Sequence, residues 1–87
     1  MTRSMFIQQY ANLFWYIPAD KKENISDSLL VETILNDGTL DDYRMLLQVL
    51  TPERVAKVFF DATQRKADNY YPEIRNFYSI LLKKYAH

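Results

Sequence analysis

The stretch ILNDGTLDDYRMLLQVLTPE, residues 34–53, contains two helix boundaries close together, and they decide how the whole chain is read. Gly38, the only glycine in the protein, follows the apolar residues Ile34 and Leu35. That is where a helix terminus needs a residue tolerant of positive φ, so the spacing predicts a helix ending there. Thr39 can cap the next helix, and Asp41 and Asp42 in its first turn suit the helix dipole. Leu40, Tyr43, Leu46, Leu47 and Leu50 then recur at helical intervals. Thr51-Pro52-Glu53 repeats the start signal: a hydroxyl cap, a proline whose missing N–H costs nothing at the first helical position, and an acid in the first turn.

Working upstream, Ser26 can cap a helix over 26–36 that carries Leu29, Leu30, Val31, Ile34 and Leu35. Downstream, Val55, Val58, Phe59 and Ala62 continue the helix opened by Pro52 over 52–62. A polar loop over 64–71 leads to Pro72, which opens a last helix with the stripe Ile74, Phe77, Tyr78, Leu81, Leu82 and Tyr85. At the other end, Phe6, Tyr10, Leu13, Phe14 and Ile17 mark one face of a helix that Pro18 stops, followed by a loop over 18–25. No useful run alternates with period two, so no sheet is expected. The reading is one all-α domain over 1–87, a compact bundle of four to five short helices. Residues 1–17 form an N-terminal amphipathic helix that could dock separately, and 26–86 form the core. Short links between the second, third and fourth helices imply an αα-hairpin with the next helix across it.

Composition limits the function classes. Apolar residues are 48% and charged residues 25% of the chain, a globular balance. Without cysteine there is no disulfide, thiol nucleophile or thiolate metal site, which suits a reducing cytosol. Gln8, Gln9 and Asn12 interrupt any signal-peptide pattern, and no apolar run approaches the roughly 20 residues of a membrane span. A cytoplasmic protein is expected. Eleven basic residues balance eleven acidic ones, so no whole-molecule field draws the chain to nucleic acid. The charge is unevenly placed, however: residues 21–44 hold six acids against three bases, and residues 65–87 five bases against two acids. Solvated faces and helix-end electrostatics account for much of this, and a dipolar partner surface is the functional alternative.

Catalytic arrangements are not visible. The sole histidine, His87, is the last residue and has no ligand neighbour at helical spacing. Ser26, Ser28 and Ser79 lack an activating base, and adjacent Asp41 and Asp42 point about 100° apart on a helix. One glycine cannot build a phosphate-cradling loop. Neither an enzyme, a cofactor nor a metal is expected. A helix-turn-helix would place Asp41 and Asp42, or the mixed set Glu53, Arg54, Lys57 and Asp61, against phosphate, which makes DNA binding unfavourable. The basic C-terminal helix with Arg75 and Lys83 is the remaining nucleic-acid candidate, as a DNA-associated regulator.

Aromatic residues, 15% of the chain with seven tyrosines, are the positive signal for a protein partner or a second copy. Trp15 falls about 180° from Phe6 on a helical wheel. Either the chain turns near Asn12 and tucks Trp15 into the core, the preferred reading, or the segment lays Trp15 and Tyr16 on a partner. Candidate partner-binding residues are therefore Phe14, Trp15, Tyr16, Arg75 and Lys83.

Phe14-Trp15, the run from Ile34 to Asp42, and Asn76-Phe77-Tyr78 together resemble a family of small all-helical bacterial proteins with an N-terminal Phe-Trp motif. Members typically begin near Phe-Trp-Asp, pass through Val-Leu-x-x-Gly-Asp-Leu and end near Asn-Phe-Trp. Their genes often stand beside nucleotidyltransferase-type toxins, so the resemblance implies an antitoxin-like or accessory binding role. It covers most of the chain from Leu13 onward. The chain departs from the pattern at Tyr16, where the acid is missing, and at Tyr78 in place of tryptophan.

Overall fold

A computed structural model of the chain describes residues 2–15, 17, 18, 21, 24–64 and 69–85. Among them are five α-helices and no strand: α1 (Arg3–Gln9), α2 (Asp27–Asp37), α3 (Leu40–Leu50), α4 (Pro52–Thr63) and α5 (Pro72–Leu82). One 3-10 turn (Ala11–Phe14) follows α1, and another (Lys83–Tyr85) extends α5. The chain is thus an all-α bundle. Its Cα radius of gyration is 12.3 Å, and about 12 Å is expected of a single domain of this length.

The capping signals act as read. Ser26, Thr39 and Thr51 accept hydrogen bonds from the backbone N–H of Leu29, Asp42 and Arg54 respectively. At Thr39 the cap is reciprocal, since Asp42 Oδ2 accepts from the Thr39 N–H at 2.8 Å. α2 and α3 form the expected hairpin, and α4 packs on both, as well as on α5 and the C-terminal 3-10 turn. Leu30, Val31, Ile34, Leu35, Leu46, Val55 and Phe59 close the interior.

Gly38 corrects one expectation. Its φ is −91° and its ψ 177°, ordinary extended backbone rather than the left-handed region. Space explains the glycine: an added Cβ would lie 2.6 Å from the carbonyl oxygen of Ile34 and 3.0 Å from Asp42 Oδ2. Positive φ falls instead on Thr51 (φ 73°), which alone links α3 to α4. A β-branched residue there carries strain of about 1–3 kcal/mol.

The N-terminal segment also differs from a helix running to Ile17. α1 ends at Gln9, Tyr10 turns the chain, and the 3-10 turn carries Phe14 inward. A straight helix would aim Phe6 and Phe14 the same way, but α1 packs on α3 whereas the 3-10 turn packs on α2. Both phenylalanines are buried. An ionic clasp joins this segment to the bundle: Asp27 at the start of α2 accepts from Arg3 Nε at 3.1 Å and from Arg54 Nε at 3.1 Å. The Arg3 guanidinium also donates to the Ile25 carbonyl. Asp27→Ala is expected to lower the unfolding free energy in urea by about 1–2 kcal/mol, since both arginines are partly solvated. The deficit should shrink in 1 M salt, where the screening length falls to about 3 Å. A variant as stable as the parent would mean that the clasp contributes nothing.

Two stripe residues sit further out than their spacing suggested. Leu40 is 43% and Phe77 47% exposed. Tyr43 and Leu46 set the buried face of α3, and Tyr78 and Leu82 that of α5. Leu40 and Phe77 lie at the edges of those faces, about 100° from the centre.

Candidate functional site

The four described candidate partner-binding residues, Phe14, Trp15, Arg75 and Lys83, do not form one surface. Phe14 is fully buried in the core, so it is a packing residue and not a surface contact. Trp15, immediately after it, is 80% exposed, which corrects the expectation that it tucks into the core. Successive residues of a tight turn point in different directions, so anchoring Phe14 inward turns Trp15 outward. Tyr16 lies outside the described residues, as do His87 and the loop charges Arg65, Lys66 and Asp68. Arg75 and Lys83 are exposed on α5 and its 3-10 extension. That extension packs on α4, whereas the turn leading to Trp15 packs on α2.

A second feature was not anticipated. An open groove of about 910 Å³ runs between α4 and the end of α5. Glu53, Lys57, Phe60 and Gln64, spaced along one face of α4, make one wall. Ser79, Ile80, Lys83 and Tyr85 make the other. Phe60 is steadied by an edge-on contact with buried Phe59, their ring centroids 5.1 Å apart. Ile80, in the last turn of α5, is 76% exposed. Lys57 pairs with Asp61 at 3.4 Å, and the Lys84 ammonium lies 5.1 Å from the centroid of the Tyr85 ring. Ile80 carried a readable signal: it lies about 160° from Leu82 on the wheel of α5, an apolar residue on the solvent side.

A cluster of tyrosines surrounds Asp42. Burial, with the neighbouring Tyr85 and Tyr78 hydroxyls, pushes the Tyr43 hydroxyl up to about 12. Burial and the Asp42 charge raise Tyr78, and the hydrogen bond to Asp42, followed by burial, raises Tyr10. These raised values keep the three phenols protonated and uncharged at neutral pH. Tyr43 and Tyr78 pack at 4.8 Å between ring centroids and tie α3 to α5. Among the described residues, no three His, Cys, Asp or Glu side chains gather as metal ligands, and no helix is long and apolar enough to cross a membrane.

Comparison with protein-family models, with curated proteins and with solved structures gives no match to the chain.

Proposed function

We propose that this chain is a non-catalytic interaction module of the bacterial cytoplasm, and that Trp15 is its principal contact with a protein partner. The observation that carries the reading is the pairing of an 80% exposed Trp15 with a fully buried Phe14 beside it. The backbone under the indole is thereby anchored to the core, so less freedom is lost when a partner covers the ring. Tryptophan dominates binding energy in interfaces because it adds a large apolar area to a single N–H donor. The likeness to proteins encoded beside nucleotidyltransferase-type toxins suggests the kind of partner, and the role would then be antitoxin-like. The second reading, a DNA-associated regulator, draws on Arg75 and Lys83, exposed near opposite ends of α5. It is the weaker one, because the two bases of α4 are already paired, Arg54 with Asp27 and Lys57 with Asp61.

The test is titration calorimetry with the purified product of the adjacent gene. Trp15→Ala is expected to weaken the complex by about 2 kcal/mol or more, roughly thirtyfold in Kd. Trp15 is the chain's only tryptophan, so red-shifted indole emission from the free parent chain, moving to the blue on complex formation, would report the ring as solvated and then covered. A complex indifferent to the substitution would move the contact elsewhere. A clean monomer that forms no complex even when concentrated would dismiss the reading.

A further inference from the structure

Thr51 is the whole connection between α3 and α4, and among the described residues it alone has positive φ. A β-branched side chain disfavours that region, while the chain's one glycine, Gly38, sits at ordinary φ. Only one of the two Thr51 torsions is out of place. Its ψ of 147° lies in the range that a residue before proline prefers, and its φ of 73° does not. Rotating φ to about −120° would relax the residue and swing everything after it through about half a turn. Pro52 keeps the opened joint bent, because the residue before a proline avoids the α region and α3 cannot run on into α4.

The joint also divides the molecule into two units that fit each other. On one side α1, α2 and α3 pack together, and on the other α4 holds α5 and the C-terminal 3-10 turn. Across the divide, α4 packs on α2 and α3 with Val55 and Phe59 fully buried. The Tyr43 ring meets Tyr78, the Asn36 side chain bonds the backbone of Asn69 and Tyr71, and Asp27 pairs with Arg54. Charge divides at the same residue: residues 1–50 hold seven acids and four bases, and residues 52–87 four acids and seven bases, balances of −3 and +3. With the joint open, the bared faces of α2 and α3 are matched in shape, hydrogen bonding and charge by α4 and α5 of a second copy.

We infer that Thr51 is a sprung hinge through which two copies exchange α4 and α5, giving a dimer of two bundles, each built from both chains. Every contact across the divide is remade in the dimer, and both hinges relax, so the strain held in the monomer favours exchange; short strained links are where such exchange takes place. A formal net charge of zero leaves no overall repulsion between copies. The inference goes beyond the Trp15 reading and does not depend on it, although an exchanged dimer carries Trp15 on both bundles.

The test refolds the full chain from urea at low and at high protein concentration and sizes the products by chromatography with light scattering. A dimer that grows with concentration is expected. Thr51→Gly removes the strain from the closed form, and glycine is tolerated at a cap position, so this variant should melt close to or above the parent. Its dimer dissociation constant should rise about thirtyfold, from at least about fivefold at each of two hinges. Asp27→Arg and Arg54→Asp separate exchange from a simple surface contact. Either substitution alone sets like charges together in every bundle, whereas an exchanged heterodimer of the two variants sets opposite charges together in both of its bundles. After the two are mixed and refolded together, native mass spectrometry should show heterodimer in excess of random pairing. No dimer at high concentration, a dimer whose affinity Thr51→Gly leaves unchanged, a Thr51→Gly chain that melts well below the parent, or random pairing of the charge-reversed chains would each overturn the inference.

Discussion

Phe59→Ala is expected to cost about 3–5 kcal/mol, the largest loss of any single truncation in the bundle. Phe59 is fully buried in α4, the helix that packs on α2, α3 and α5. Its ring meets Phe60 and Tyr70 edge-on, both with centroids at 5.1 Å, so truncation removes two aromatic contacts as well as apolar area. The cavity would open within the packing of α4 on α2, α3 and α5, where no helix can move in to fill it without leaving another. A domain of this length holds about 4–13 kcal/mol in all, so the variant approaches the limit of folding. Its thermal midpoint should fall by about 12 °C or more. Ile80→Ala, at an exposed position, should stay within about 0.5 kcal/mol of the parent. Equal losses at the two positions would contradict the burial pattern on which the fold rests.

Gly38→Ala is expected to destabilise the chain by about 2–3 kcal/mol, through crowding and a weakened cap. The new Cβ would press on the Ile34 carbonyl, a backbone atom that closes α2 by accepting from the Gly38 N–H. It would also push on the Asp42 carboxylate, which holds the Thr39 N–H. Gly38→Asn separates this cause from a conformational one. Asparagine tolerates positive φ, so it would be milder than alanine if conformation were the obstacle; with space as the obstacle it should be no better. Denaturant midpoints of the two variants decide the matter. The Asp42 carboxyl adds a pH dependence. Partial burial raises its pKa, but hydrogen bonds from the Thr39 backbone and from the Tyr10 and Thr39 side chains outweigh burial and hold it below the usual value. The stabilisation is therefore full above the unfolded carboxylate range and is lost as pH falls through the folded value, which lies beneath that range. The gap between parent and Gly38→Ala should narrow there.

The core of the fold was legible because local and tertiary signals agree from Ser26 to Leu82. Ser26, Thr39, Thr51, Pro52 and Pro72 all mark helix starts, and the apolar stripes between them face inward at their centres. Legibility ended where tertiary contacts overrode periodicity. Phe6, Tyr10, Phe14 and Ile17 keep helical spacing, and no glycine or proline announces the break at Tyr10. Only the need to bury Phe6 against α3 and Phe14 against α2 produces it, and no local pattern encodes that. Phe77 and Leu40 were misplaced because a stripe defines a centre but not the width that neighbours will cover. Trp15 is an off-stripe aromatic whose spacing fits burial or exposure, and only the inward anchoring of Phe14 decides between them. Ile80 carries the same off-stripe signal in α5. The groove itself requires the crossing of α4 and α5, which the lengths of helices and loops do not set.

Thr51 gives the molecule an elbow with no slack. It closes α3, caps α4 and takes up the whole change of direction in one residue. Inserting a single residue there would spin α4 by about 100° about its axis, carrying Phe59 out of the interior and Phe60 away from Ile80. Register along this joint is therefore what aims both the core and the groove, and length changes should be tolerated at the surface loops but not at this point.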